Sequence, residues 1–370
     1  MWIADKYIDY VREQTIENPG QSWGRMLLGF QANKLRTKLL PKKEISKGYQ
    51  KLEALMMSFV ADSLCRPDSY VWGNIFSPCE IMQCFGLNTL SIECLACYLS
   101  GYRLEDYFID YAQNTGIAPT LCSYHKTFVG AIDSGAVPAP WYAVTTSLSC
   151  DGNLNTFRYL EKKKGVPFTF LDVPYGDDDA SVNYLAGQLR DFAGELERRF
   201  GKPFDEEKLK ENIRIENETR KELMRFFQLQ SEYYYPGELI SHLYMMMGMH
   251  LLIGTQEFLD LVRFMIKEIQ TYPKFEGKKI LWVHLLPFYQ ESLQHYFNAN
   301  QKYQIIASDI ILDSVEEMDT ERPFHALARK IIHNAYNGSY SHRAELVCGL
   351  ADTLHPDAVI QFCHWGCKQS

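Results

Sequence analysis

The chain reads as an α/β protein made of two parallel-sheet lobes joined by a helical segment. Three observations predict this. Its 370 residues exceed the size of one ordinary domain. Short β-branched and aromatic segments alternate with helical patterns at both ends of the chain. Between them, the residues from about Ala180 to Gln270 contain no clear strand. These patterns divide the chain into N-terminal helices over 1–68, a first α/β lobe over 69–180, a helical connector over 181–275 and a second α/β lobe over 276–370.

The elements follow in order. Tyr70 to Phe76 forms a strand stopped by Ser77-Pro78, with a helix starting near Glu80. Leu90-Ser91-Ile92, Ala143 to Leu148 and Pro167 to Pro174 read as further strands, and the helical patterns between several of them imply a parallel sheet. In the connector, Leu185, Leu189, Phe192 and Leu196 lie at spacings of four, three and four, one apolar helical stripe. Met245, Met246, Met247 and Met249 read as core packing. The second lobe has strands at Lys278 to Pro287, Gln304 to Asp309 and Asp357 to Phe362. A parallel lobe ordinarily continues with a helix after its last strand, so a truncated C-terminus is expected.

Composition excludes several functions. Lys and Arg number 38 against 46 Asp and Glu, a net charge of −8, which gives no general electrostatic grip on nucleic acid. A basic run at Lys34, Arg36, Lys38, Lys42, Lys43, Lys47 and Lys51 reads first as a solvated helical face and second as a dock for an acidic cofactor tail or partner. The start lacks a basic region followed by an apolar run, and Leu243 to Gly254 is too short to span a bilayer. A cytoplasmic protein, without membrane or nucleic-acid partners, is the expectation. Ten cysteines in such a compartment read as thiols or metal ligands rather than disulfides.

Functional groups of parallel α/β sheets gather beyond the carboxyl ends of the strands. That rule selects Cys150 after one strand, and Cys363 and Cys367 after another, with Cys122 in a separate short segment. Thiolates from separate loops suit an iron–sulfur core, although the spacings of 28 residues between Cys122 and Cys150 and 217 between Cys150 and Cys367 match no local ferredoxin pattern. His125, His364 and Lys126 sit close enough in sequence to support such ligands, and Asp151-Gly152 marks a helix entry. Cys94 and Cys97, a C-x-x-C in a helical stretch, read as packing, as do Cys65, Cys84 and Cys348. Neither a G-x-x-x-x-G-K-S/T phosphate loop nor a G-x-G-x-x-G fingerprint occurs, so any ATP the reaction needs is expected on another protein.

Four pieces, Ser77-Pro78-Cys79-Glu80-Ile81, Leu121-Cys122-Ser123-Tyr124, Ser147 to Gly152 and His364 to Gln369, resemble the 2-hydroxyacyl-CoA dehydratase family, which also includes subunits of benzoyl-CoA reductase. The resemblance implies two Rossmann-like lobes around one 4Fe–4S cluster held by three cysteines, with one iron open. Cys122, Cys150 and Cys367 match those positions, with Cys363 a rival for the third. Glu80 matches the family's Pro-x-Glu piece and is the expected catalytic carboxylate, or else a first-turn residue favouring the helix dipole. An acyl-CoA substrate, a related second subunit or a second copy, and an ATP-dependent activator protein are implied as partners. The implied activity is a lyase reaction, radical elimination of water through a ketyl. Alternatives are a benzoyl-CoA-reductase-like subunit and a non-catalytic iron–sulfur electron carrier.

Overall fold

A computed structural model describes residues 2–66, 68–313 and 316–369. Three helices open the chain, α1 (Trp2–Glu17), α2 (Trp23–Leu39) and α3 (Lys47–Cys65). α3 begins where Ser46 accepts the amide of Tyr49, a side-chain cap on an otherwise orphaned donor. The first sheet region follows: β1 (Tyr70–Gly73), α4 (Cys79–Cys84), β2 (Asn88–Ser91), α5 (Ile92–Ser100), α6 (Glu105–Asn114), α7 (Ser123–Asp133), β3 (Ala143–Thr146), α8 (Asp151–Lys164) and β4 (Phe168–Leu171). Four helices come next, α9 (Asp179–Phe200), α10 (Glu206–Gln230), α11 (Leu239–Leu251) and α12 (Gln256–Ile269). The second sheet region is β5 (Lys278–Val283), α13 (Glu291–Phe297), β6 (Tyr303–Ser308), α14 (Pro323–Ile332), α15 (Tyr340–Leu354) and β7 (Ala358–Gln361).

Both sheets are parallel. The first runs β2-β1-β3-β4, with Trp72 opposite Leu90 and Ala143, and Ala143 opposite Phe168. The second runs β6-β5-β7, with Lys278 opposite Tyr303 and Ile280 opposite Ala358. In each sheet the earliest strand is central and the chain leaves it first to one side, then to the other. A crevice therefore opens between β1 and β3, and another between β5 and β7, because successive crossovers diverge there.

The seven strand positions follow the sequence pattern, but the sheets do not have separate interiors. One continuous core holds Trp72 and Val144 of the first sheet together with Leu281 and Ile306 of the second. A small second cluster, Leu239, Ile280, Trp282, Leu286 and Ile305, covers the other face of β5 and β6. The central helices also do more than connect. α9 buries Leu185, Leu189, Phe192 and Leu196 and packs against both β4 and α14, while α11 and α12 pack on α3. Met245, Met246, Met247 and Met249 lie in the core. Three residues of the basic run form ion pairs, Lys34 with Asp62, Arg36 with Glu53 and Lys42 with Glu238. Among the described residues, no helix is long and apolar enough to cross a membrane.

His242 of α11 is buried against the Tyr49 ring, with ring centroids 5.7 Å apart. Burial pushes its pKa down to about 4. An unfolded histidine takes up its proton near pH 6.5 and the folded one only near 4, so this residue's contribution to stability is complete above pH 6.5 and is lost as pH falls towards 4. Urea unfolding at pH 7 and pH 5 should show the wild type losing about 2 kcal/mol more than His242→Phe on acidification.

Candidate functional site

The carboxyl ends of both sheets open onto a shared cavity. From the first sheet it is lined by Ile75 and Phe76 beyond β1, Glu93 beyond β2, and Ser149 and Cys150 beyond β3. From the second come His284 and Leu285 beyond β5, Ile310 beyond β6, and Cys367 and Gln369 beyond β7. Cys122 and His125 add the start of α7, and Met246 and Met247 add one side of α11. Cys150 and Cys367 thus follow the two strands β3 and β7 that border the crevices. Sequence separation is no guide to this proximity, since only the meeting of the two sheets creates it.

Each thiol sits at a chain direction change. Cys122 and Cys150 are the N-cap residues of α7 and α8, at the positive end of each helix. Burial raises the pKa of Cys122 to about 11, against the lowering effect of the Tyr124 and His125 amides, and Cys150 and Cys367 raise it further. Burial also raises Cys150, against the amides of Gly152 and Asn153, with Glu93 and Cys367 adding to the rise. The three thiols and Glu93 therefore form one interacting group. A Cβ on Gly152 would lie 3.2 Å from the Cys150 sulfur, so a larger residue there would press on the thiol.

Two histidines stand behind two of the thiols. His125 Nε2 is 3.8 Å from the Cys150 sulfur while its Nδ1 meets Thr156 Oγ1 at 2.8 Å. His284 Nε2 is 3.4 Å from the Cys367 sulfur, and its Nδ1–H donates to the Phe362 carbonyl at 3.0 Å. Burial drives both imidazoles down to about 4, so they are neutral at physiological pH. The backbone is left-handed at Ser149 (φ 67°) and His284 (φ 75°), the residues that turn the chain from β3 and β5 into the cavity. Non-glycine residues pay conformational energy there, and such positions concentrate at functional sites.

The segment bearing Cys367 is held by a polar network. Arg343, 4% exposed, donates through Nε to Asp309 Oδ2 at 2.9 Å, through Nη2 to the Tyr336 hydroxyl at 3.1 Å and through Nη1 to the Gln369 carbonyl at 2.5 Å. Asp309 in turn accepts the amide of His284 at 2.8 Å. Gln369 reaches across to the carbonyls of Ser149 and Tyr336, and Lys368 pairs with Asp151. Arg343 therefore ties β6, His284 and the Cys367 loop together.

The expected residues separate into those inside and those outside this cavity. Cys122, Cys150, Cys367 and His125 line it. Cys363 is exposed and does not. His364 meets Ser123 Oγ at 3.3 Å, and the Lys126 ammonium donates to the Pro119 carbonyl at 2.7 Å; neither lines the cavity. Glu80 lines a neighbouring cavity instead, where Lys330 binds both it and Glu216. Burial raises Glu80 to about 7. Burial would raise Glu216 too, but Lys330 and Arg220 outweigh it and hold Glu216 low.

Sequence reasoning passed over Glu93 and His284. Glu93 is the cavity's one carboxyl group, its Oε2 accepting from Ser91 Oγ at 2.6 Å and the Ile75 amide at 3.1 Å, and burial raises its pKa. Its position just beyond β2 was the available signal. Cys94 and Cys97 are buried in α5, as packing predicts, but they also line the cavity.

Five thiols line the cavity, and those of Cys122, Cys150 and Cys367, with two neutral histidines beside them, offer soft donors suited to iron–sulfur chemistry. Among the described residues no three acidic, histidine or cysteine groups close on a single metal ion. A cluster makes a different demand, since each thiolate binds a different iron. The raised thiol pKa values also fit a site that releases protons when a metal core supplies the compensating charge.

Fold and cavity define an α/β protein with a thiol-walled cleft at the switch points of two parallel sheets. The family model of the 2-hydroxyglutaryl-CoA dehydratase D-component matches residues 74–370, and the chain belongs to that family. It is 20% identical over 267 residues to the (R)-phenyllactyl-CoA dehydratase alpha subunit of Clostridium sporogenes, covering 65% of each chain. It is 23% identical over 157 residues to the (R)-2-hydroxyisocaproyl-CoA dehydratase alpha subunit of Clostridioides difficile, covering 40% of this chain and 38% of that one. The chain thus spans a little under two thirds of the first relative's length and well under half of the second's.

Replacing Arg343 by Met removes the cation and leaves Asp309 buried without its charge partner. Denaturant unfolding should show a loss of about 3 kcal/mol, the scale of a broken buried ion pair.

Proposed function

We propose that the chain is the iron–sulfur subunit of a 2-hydroxyacyl-CoA dehydratase, a lyase that removes water from a 2-hydroxyacyl thioester. The observation that carries this reading is the convergence of Cys122, Cys150 and Cys367 on one cavity with a buried carboxyl group, Glu93, in its wall. These three cysteines are assigned as the ligands of a 4Fe–4S cluster, and the exposed Cys363 is left outside the set. Held by these three cysteines, such a cluster would supply one-electron chemistry to the thioester carbonyl, lending an electron that is returned once hydroxide and a β-proton have left, so that the net change is loss of water.

The protein's own groups do the rest. His125 and His284 offer nitrogens to the Cys150 and Cys367 sulfurs and orient them. The apolar wall of Ile75, Phe76, Leu243, Met246, Leu285 and Ile310 excludes water from a reactive substrate radical. Glu93, fixed by Ser91 and the Ile75 amide, is placed to take or return a proton inside the cavity. Glu80 is engaged by Lys330 in the adjoining cavity, so its role is assigned to the charge balance behind the site. The relatives' names, an alpha subunit and a D-component, support a companion subunit or second copy as partner. Trp365, 96% exposed two residues before Cys367, supplies an aromatic anchor for such a partner at the edge of the site. The electron is assigned to a separate ATP-dependent activator protein, since this chain has no nucleotide-binding glycine motif.

Anaerobic reconstitution followed by iron and sulfide quantitation tests the assignment. Cys122→Ala, Cys150→Ala and Cys367→Ala should each lose most of the iron, whereas Cys363→Ala should retain the wild-type amount. Retention by any of the first three removes that residue from the ligand set. Glu93→Gln should keep the iron and lose dehydration by on the order of 100-fold or more, the usual scale for a missing acid–base group. An iron-bearing protein whose spectrum ignores every acyl-CoA would identify an electron carrier instead.

A further inference from the structure

The cavity has a charge pattern that its role as a thiol site does not require. Its lining contains no Lys or Arg among the described residues, and its one carboxyl group is Glu93. The cations nearby are already engaged. Lys330 binds Glu80 and Glu216 in the neighbouring cavity, and Arg220 binds Glu216. Arg343 is taken up by Asp309, Tyr336 and the Gln369 carbonyl. Lys126 points its ammonium at the Pro119 carbonyl.

Much of the remaining wall is apolar and partly adaptable. Ile75, Phe76, Leu243, Leu285 and Ile310 give it shape, and Met246 carries an unbranched, polarisable side chain that fits varied apolar outlines. A substrate whose acyl group ended in a second carboxylate would bury that charge without a cation and near Glu93. An uncharged side chain would meet mostly hydrocarbon, sulfur and ring edges, with Ser149, Gln369 and the rings of Tyr124 and Tyr336 completing the wall. Pairing decides this comparison, because an uncompensated buried charge costs more than the same surface gains by burial.

We propose that this cavity selects a 2-hydroxyacyl-CoA with an uncharged, apolar acyl side chain, aliphatic or aromatic, and rejects one that ends in a second carboxylate. The inference rests on the dehydratase reading and sharpens it, since the family is named for the 2-hydroxyglutaryl group, which carries that second carboxylate.

The test is equilibrium binding by calorimetry, under anaerobic conditions, of 2-hydroxyisocaproyl-CoA, 2-hydroxyglutaryl-CoA and free CoA to the full reconstituted chain. The dicarboxylate ligand should bind weaker than 2-hydroxyisocaproyl-CoA by on the order of 100-fold. Equal or tighter binding of 2-hydroxyglutaryl-CoA overturns the proposal and leaves the dehydratase reading standing. Binding of both no better than free CoA also overturns it, because the acyl group is then read elsewhere. Failure of all three to bind overturns the dehydratase reading itself, and the selectivity with it. Met246→Lys, which places a cation in the wall at similar side-chain length, should narrow the gap at least about tenfold, while Met246→Leu should preserve it. Should Met246→Lys fail to fold, the wild-type comparison decides alone.

Discussion

The ion pair between Arg343 and Asp309 holds the site together. Both side chains are buried, and their charges are removed from water at a cost that only mutual pairing and further hydrogen bonds offset. The geometry distributes that pairing. Asp309 fixes the His284 backbone, Arg343 fixes the Gln369 carbonyl, and Tyr336 joins both. The loop that bears Cys367 otherwise has little apolar burial of its own, since Cys363 and Trp365 are exposed. Charge placed once, deep behind the cavity, orders a segment that packing alone would leave loose.

A second buried charge group lies beside the first cavity. Glu80 and Glu216 face the same ammonium of Lys330, and Arg220 adds a second cation on the Glu216 side. Two carboxyl groups sharing one cation cannot both be fully ionised at low cost, so their pKa values separate: Glu80 moves up and Glu216 down. His250 and Asp313 extend this polar region, with the Phe76 ring packed edge-on against His250 and forming part of both cavity walls. Among the described residues, no Lys or Arg lines the thiol cavity, while Arg220 and Lys330 line its neighbour. That separation gives the thiol site its apolar character without leaving the charges of α10 and α14 unpaired.

Much of the fold was legible because its signals are local. Each strand showed itself as a short β-branched or aromatic run, and the stripe on α9 as apolar spacing of three and four. Cys150 and Cys367 were legible as cavity-lining residues because a position just beyond a parallel strand has a general meaning. Glu93 occupies an equivalent position beyond β2, yet the short strand before it made the signal faint. Cys94 and Cys97 looked like packing and are packing; that they also face the cavity depends on where α5 sits against α7.

Glu80 shows where local reasoning stops. A glutamate at a helix start is readable, but the Lys330 that claims it is 250 residues away and arrives only when α14 docks. The sequence by itself determined the seven strands, the helical middle, the candidate thiols and the family likeness, because periodicity, strand chemistry and short motifs act over a few neighbouring residues. Tertiary structure alone decided that the two sheets share one core, that thiols distant in sequence line one cavity with Glu93, and that among the described residues no Lys or Arg lines it. Those outcomes depend on long-range packing and on the pairing of buried charge, and neither is written in any single stretch of chain.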